Sequence, residues 1–194
     1  PPAMLALVQD EELNVDGFLL PGHVSVLTGW EAFRFLADDH RVPGAVVGLS
    51  PTDVLRGVLE LLRQRRDGTA TVENLYGRAV SPAGNLTAAE LVDGFFEPAD
   101  ADWRGFGVIP GSGLTLRKRH CNRDAGDIPV ELPDPREPAG CRCGEVLRGV
   151  IDPPECPLFD AGCSPSDPIG ACMVSGEGTC SAWFRHERWR GEVR

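Results

Sequence analysis

Four cysteines mark the end of the chain, Cys156, Cys163, Cys172 and Cys180, spaced C-x6-C-x8-C-x7-C. Four soft thiolates within 25 residues, separated by loops that carry Pro157, Pro165 and Pro168, are a donor set for one tetrahedral zinc or for the four irons of a cubane cluster. Structural zinc sites place two to four residues between paired ligands. The wider spacing here favours a [4Fe–4S] cluster and leaves zinc as the alternative. Backbone N–H groups near Gly176 and Gly178 are available to hydrogen-bond cluster sulfurs.

A second group is Cys141-Arg142-Cys143-Gly144-Glu145. Two thiols one residue apart, beside an arginine and at the start of a short predicted helix, are expected to have lowered pKa values and thiolate reactivity. The competing reading makes one of them a cluster ligand or a small buried residue. Cys121, between His120 and Arg123, has no cysteine partner in the sequence and is given no role. His23 stands in Pro21-Gly22-His23-Val24-Ser25, directly after a predicted strand, where parallel α/β sheets place ligands; a structural histidine is the competing reading. His40 follows Asp38 and Asp39 and reads as a helix-end dipole partner. Arg185, Arg188 and Arg190 lie beside Trp183 and Trp189, a pattern that docks an acidic partner or covers the protein's own surface. No Ser-His-Asp order, P-loop or metalloprotease motif occurs, so conventional hydrolase chemistry has no support.

The elements that must position these residues follow from composition and periodicity. The 194 residues suffice for one large domain or two small ones. Nineteen Lys and Arg against 29 Asp and Glu give a net charge of −10, which argues against nucleic acid as a partner. No apolar run approaches the roughly 18 residues of a membrane-spanning helix. All seven cysteines lie between Cys121 and Cys180. An odd number cannot close wholly into internal disulfides, and a metal or redox site accounts for them better than a secreted disulfide scaffold. The chain opens on Pro1-Pro2 and is expected to be a processed or partial chain, so the absence of a signal peptide carries no weight.

Residues 17–20 read as a buried strand ended by Pro21-Gly22. Thr28 and Glu31 form a capping-box signature for a helix carrying Ala32, Phe33, Phe35, Leu36 and Ala37 and ending near Asp39. A second apolar run, Ala45 to Leu49, completes a parallel strand-helix-strand unit. Ser50 caps the clearest helix, with Pro51 at its first position and Val54, Leu55, Val58, Leu61 and Leu62 at helical spacing up to Asp67-Gly68; Arg63, Arg65 and Arg66 complement its dipole. Another helix starts at Thr87 with Glu90 and stops between Gly94 and Pro98. Phe106 to Ile109 reads as a strand that enters a turn at Pro110-Gly111-Ser112-Gly113. Beyond residue 120, nine prolines and nine glycines accompany the cysteines, and only Glu145–Ile151 and Ala182–Arg190 look helical. The expected architecture is α/β: one or more parallel strand-helix-strand lobes over 1–120, followed by a loop-rich cysteine domain over 121–194 that metal binding orders.

Pro21-Gly-His-Val-Ser25, the run from Cys141 to Gly149, Cys156-Pro-Leu-Phe159, Cys172-Met-Val-Ser175 and Glu177-Gly-Thr-Cys180 together resemble the HypD family of [NiFe]-hydrogenase maturation factors, over essentially the whole chain. The resemblance implies a cytoplasmic iron–sulfur scaffold rather than a conventional turnover enzyme. On it, with a HypC-like chaperone and a HypE-like cyanide donor, an iron atom acquires its Fe(CN)2CO ligands. It implies Cys156, Cys163, Cys172 and Cys180 as ligands of a [4Fe–4S] cluster, Cys141 and Cys143 as the family's other cysteine motif, and His23 in a motif facing a cleft between lobes. Asp160 stands where the family usually has Gly, and Gly176 where a second Ser is common. Family members also carry an N-terminal half with a Cys-Gly-Thr-His motif, a Cys-x-x-Cys pair and a Gly-Phe-Glu-Thr-Thr motif, none of which is in this sequence. The chain is therefore expected to lack the iron-holding thiol and to be incomplete as a scaffold. A zinc-stabilised interaction module without redox chemistry is the alternative function.

Overall fold

Short β-branched and apolar runs bounded by Pro and Gly become the strands of a parallel sheet. In a computed structural model, which describes residues 1–103, 105–130 and 138–187, β1 (Phe18–Pro21), β2 (Gly44–Val47) and β3 (Val72–Asn74) lie in the order β1-β2-β3. Both pairings are parallel, with Leu20 opposite Val46 and Val46 opposite Asn74. Every residue of β2 is buried, as a central parallel strand covered on both faces requires. This is the α/β class expected from the sequence.

The β1-to-β2 crossover departs from the expected single helix. Helix α2 (Gly22–Thr28) starts directly at the strand's end, and Thr28 closes that helix rather than capping the next, its hydroxyl donating to the Val24 carbonyl. Gly29 stops α2 at φ +79°, where a Cβ would sit 2.7 Å from the Ala83 backbone; only glycine fits there. The chain then makes a 3-10 turn (Glu31–Phe33) and the short helix α3 (Phe35–Asp38). Leu20, Phe33, Leu36, Ala37, Val46, Val72 and Val80 form the core against which these pieces pack. An N-terminal helix, α1 (Pro2–Val8), contributes Met4 and Val8 to its margin.

Helix α4 (Pro51–Asp67) carries the chain from β2 to β3. Its caps are those expected: the Ser50 hydroxyl accepts from the Asp53 N–H at 3.1 Å, and Gly68 is left-handed at φ +67°. Arg65 pairs with Asp16, and Arg66 with Asp67. The buried face holds Asp53, Gly57 and Gln64, while Leu55, Val58, Leu59 and Leu62 are exposed. Gly57 explains which face packs: a Cβ there would lie 2.6 Å from both Leu19 and Val47 side chains, so the helix backbone rests on the sheet.

Helix α5 (Leu86–Phe95) is capped by Asn85, whose side chain accepts from the Ala88 N–H, two residues before the expected start. Strands β4 (Phe96–Trp103) and β5 (Gly107–Leu116) then pair as a two-stranded ribbon. β5 runs through Pro110–Gly113 rather than ending there in a turn, with Gly111 left-handed at φ +63° within the strand; the Gly111 N–H donates to Asp100, so a strand side chain absorbs the amide that a phosphate would need. The sequence pattern missed β4, whose Glu97, Pro98, Asp100 and Asp102 carry weak β propensity.

The chain divides into two compact units. One comprises Pro1–Glu11, Val15–Asp100 and Pro110–Ala125; the other comprises Glu12–Asn14, Ala101–Ile109 and Gly126–Arg194. The second contains α6 (Cys143–Leu147), α7 (Ala171–Val174) and α8 (Thr179–His186), joined by loops and 3-10 turns. Among the described residues no helix is long and apolar enough to cross a membrane.

Candidate metal centre

Three short helices cannot bury much apolar surface, and in the second unit the thiols themselves make up the core. Cys143, Val146, Cys163, Cys172, Met173 and Cys180 are buried together, with Cys141, Leu158, Phe159 and Phe184 packed against them. Cys141, Cys143, Cys156, Cys163, Cys172 and Cys180 all line one cavity, closed on its apolar side by Leu158, Phe159 and Met173. None of the chain's cysteines is in a disulfide.

Each loop brings its cysteine in by a local device. Asp152 and Glu155 cap the 3-10 turn Pro153–Glu155, which delivers Cys156 with its N–H bonded to the Pro153 carbonyl. The 156–163 loop folds back so that the Cys163 N–H donates to the Leu158 carbonyl at 2.8 Å. Asp160 sits in this loop at φ +56°, a conformation glycine adopts without strain; the resemblance had marked this residue as a departure. Gly170 lets Cys141 approach, since a Cβ there would be 2.6 Å from its Sγ. Gly178 seats α8 on α7: a Cβ would lie 2.7 Å from the Cys172 carbonyl carbon and closer still to its oxygen.

The electrostatics are those of crowded thiols. Hydrogen bonds to Cys143 and Cys180, together with burial, push the Cys172 thiol far above the usual range, while its donated bond draws Cys180 down. The Ile169 N–H donates to the Cys163 sulfur at 3.3 Å. Cys141 does not have the lowered pKa expected from its neighbours: burial raises it. Arg142 is engaged elsewhere, with its Nε donating to Glu145 at 3.0 Å and a second contact to the same carboxylate.

Among the described residues no group of three or more His, Cys, Asp or Glu is arranged to hold a metal ion. The donor chemistry nevertheless suits a thiolate-bound group, because six soft sulfurs surround one largely apolar space. A cationic metal also relieves what the thiols alone impose on one another, the high cost of ionising Cys172 among its neighbours. Ser181, directly after Cys180, is fully buried, and among the described residues its Oγ has no hydrogen-bond partner, which costs about 1–3 kcal/mol if left so.

The remaining sequence candidates lie outside this cavity. His23 is exposed in the first turn of α2, in the other unit, at the carboxyl end of β1. Cys121 is exposed in a 3-10 segment (Lys118–Arg123), where neighbouring His120 stacks on Phe95 at 4.6 Å. His40 sits edge-on to Phe35. Arg188, Trp189 and Arg190 lie outside the described residues.

Sequence reasoning missed a polar cluster at the carboxyl end of β2. Arg78 donates to both oxygens of buried Asp53, at 3.2 and 2.6 Å, with its guanidinium 4.2 Å above the Tyr76 ring. The guanidinium holds the Asp53 carboxyl below its ordinary range. Gly22 and Gly48 make room for Tyr76, since Cβ atoms there would lie 2.6 and 2.8 Å from its ring. In the sequence Asp53 reads as a dipole partner, and nothing signals an arginine 25 residues away.

A family model, HypD, described as the hydrogenase formation hypA family, matches residues 1–187. The chain is 40% identical over 198 residues to the hydrogenase maturation factor HypD of Escherichia coli K12, covering 99% of this chain and 52% of that protein. It is 41% identical over 184 residues to HypD of Rhizobium leguminosarum bv. viciae, covering 94% and 48%. With HypD of Azotobacter vinelandii the identity is 38% over 200 residues, covering 100% and 53%. The chain thus spans about half the length of the curated relatives it matches.

Proposed function

The chain belongs to the HypD family of hydrogenase formation proteins, and from that membership we propose that its cysteine cavity is the [4Fe–4S] site of a hydrogenase maturation scaffold. The observation that carries the reading is the convergence of six cysteines from four separate loops and helices on one enclosed space. A tetrathiolate site uses four of them. The proposed set is Cys156, Cys163, Cys172 and Cys180; Cys143 is a fifth buried thiol, hydrogen-bonded to Cys172, and single alanine variants at Cys143 and Cys172 tell which of the two binds iron.

When bound, such a cluster supplies one-electron redox chemistry. The protein's own part is to orient and insulate. Leu158, Phe159 and Met173 limit water, and the Ile169 amide donates to the Cys163 sulfur and fixes its position. Cys141, half-buried at the margin, and Cys143 are the proposed exchangeable thiols. His23, at the carboxyl end of a parallel strand, is the proposed group toward the iron that acquires its Fe(CN)2CO ligands, which is cargo rather than a resident cofactor. A HypC-like chaperone and a HypE-like cyanide donor are the proposed partners, in a cytoplasmic setting where thiols stay reduced.

Replacing Cys163 by Ser tests the reading. The cluster reading expects loss of a broad visible absorbance present in the anaerobically purified parent. A zinc-stabilised interaction module gives a colourless parent and a variant that loses only its fold.

A further inference from the structure

The first turn of α8 contains a hydroxyl that no group among the described residues satisfies. Ser181 has no exposed surface, and its Oγ is the one buried side-chain nitrogen or oxygen among the described residues without a hydrogen-bond partner. Helical serines ordinarily return their hydroxyl to a carbonyl of the preceding turn; this one does not. Alanine would occupy the position with better helix propensity and no polar atom to satisfy.

The surroundings specify the missing partner. Ser181 follows Cys180 directly, and α8 packs on α7, on α6 and on the 3-10 turn Pro153–Glu155. Those elements carry Cys172, carry Cys143 and lead into Cys156. No side chain caps α8, so its N-terminal turn presents the positive end of the helix dipole. A dry hydroxyl donor at that end, among elements that each bring a thiol, suits an anionic sulfur.

We infer that Ser181 is a positioning residue of the metal centre, its hydroxyl donating to an inorganic sulfide of the bound cluster, a sulfur that the chain itself does not supply. The inference rests on the cluster reading above and adds to it a residue that is not a ligand. Hydrogen bonds to the sulfurs raise a cluster's reduction potential by stabilising the more negative, reduced state.

The test uses the anaerobically purified chain and the variants Ser181→Ala, Ser181→Thr and Ser181→Cys. The iron and sulfide content of the parent comes first: a parent without iron overturns the cluster reading and this inference with it. Given a loaded parent, Ser181→Ala is expected to keep its iron while its midpoint potential falls. Its Fe–S resonance Raman bands should also shift less between H2O and D2O. Ser181→Thr restores both, and the weaker donor in Ser181→Cys gives an intermediate potential. A purely structural serine would change thermal stability and leave potential and isotope shift untouched; that result overturns the inference while the cluster reading stands. Should the alanine variant lose its iron, threonine and cysteine carry the test, and equal potentials in parent and both variants overturn it.

Discussion

Gly178→Ala isolates the contact on which the cysteine cavity's shape depends. Gly178 has φ −68°, so an L-residue meets no backbone strain there and the whole effect is steric. The added Cβ would lie 2.7 Å from the carbonyl carbon of Cys172 and 3.0 Å from its Cα. These are backbone atoms, which cannot rotate aside as a side chain would, so α8 must move off α7 and take Cys180 away from Cys172. Overpacking costs about 1–3 kcal/mol, and a backbone clash belongs at the upper end, about 3 kcal/mol. For a domain of 60–100 residues that is a fall in Tm of roughly 12–24 °C. The assay is thermal unfolding of the reduced, metal-free chain followed by near-ultraviolet circular dichroism, with native-state thiol counting by a chromogenic disulfide. Thiols should react faster in the variant. Gly77→Ala is the control, because a Cβ there meets nothing within 4 Å; it should stay within about 0.5 kcal/mol of the parent. A Gly178→Ala chain as stable as the control, with unchanged thiol reactivity, would refute the α7–α8 seat and the cavity derived from it.

Leu36, fully buried, and Leu55, 69% exposed, carry the same side chain in opposite environments: urea unfolding should show a loss of about 2–5 kcal/mol for Leu36→Ala and less than about 0.5 for Leu55→Ala. Asp53 has its pKa lowered by Arg78, so its contribution to stability is complete above the unfolded carboxylate's value, near 4, and is lost as pH falls through the lower folded value. Asp53→Asn should therefore flatten the acid limb of a Tm–pH curve. Asp160→Gly removes the left-handed strain at φ +56° and should stabilise the apo chain by up to about 1 kcal/mol in the same urea assay.

The parts of the fold legible in the sequence were those set by local signals. Ser50, Pro51 and Gly68 bracket α4 because capping is decided within one turn, and Gly-Phe-Leu-Leu and Ala45–Leu49 read as strands because each is a short apolar run ended by turn residues. Where a distant segment decides the outcome, the reading failed. Gly29 stops α2 because of the Pro82–Gly84 backbone, and Gly57 rather than the leucine stripe faces the sheet because Leu19 and Val47 need the space. At the site, spacing singled out the cysteines of the tail, yet it did not bring Cys141 and Cys143 into their cavity, and it left Arg142 beside the thiols when Glu145 engages it. Ser181 carries no sequence signal, since an orphaned hydroxyl exists only once the fold surrounds it.

The most direct test of the central claim is the ratio of iron, zinc and acid-labile sulfide to protein in the anaerobically purified chain. A thiolate-bound cubane requires about four irons and four sulfides per chain and no stoichiometric zinc. One zinc per chain without sulfide, or no metal at all in folded protein, would contradict it.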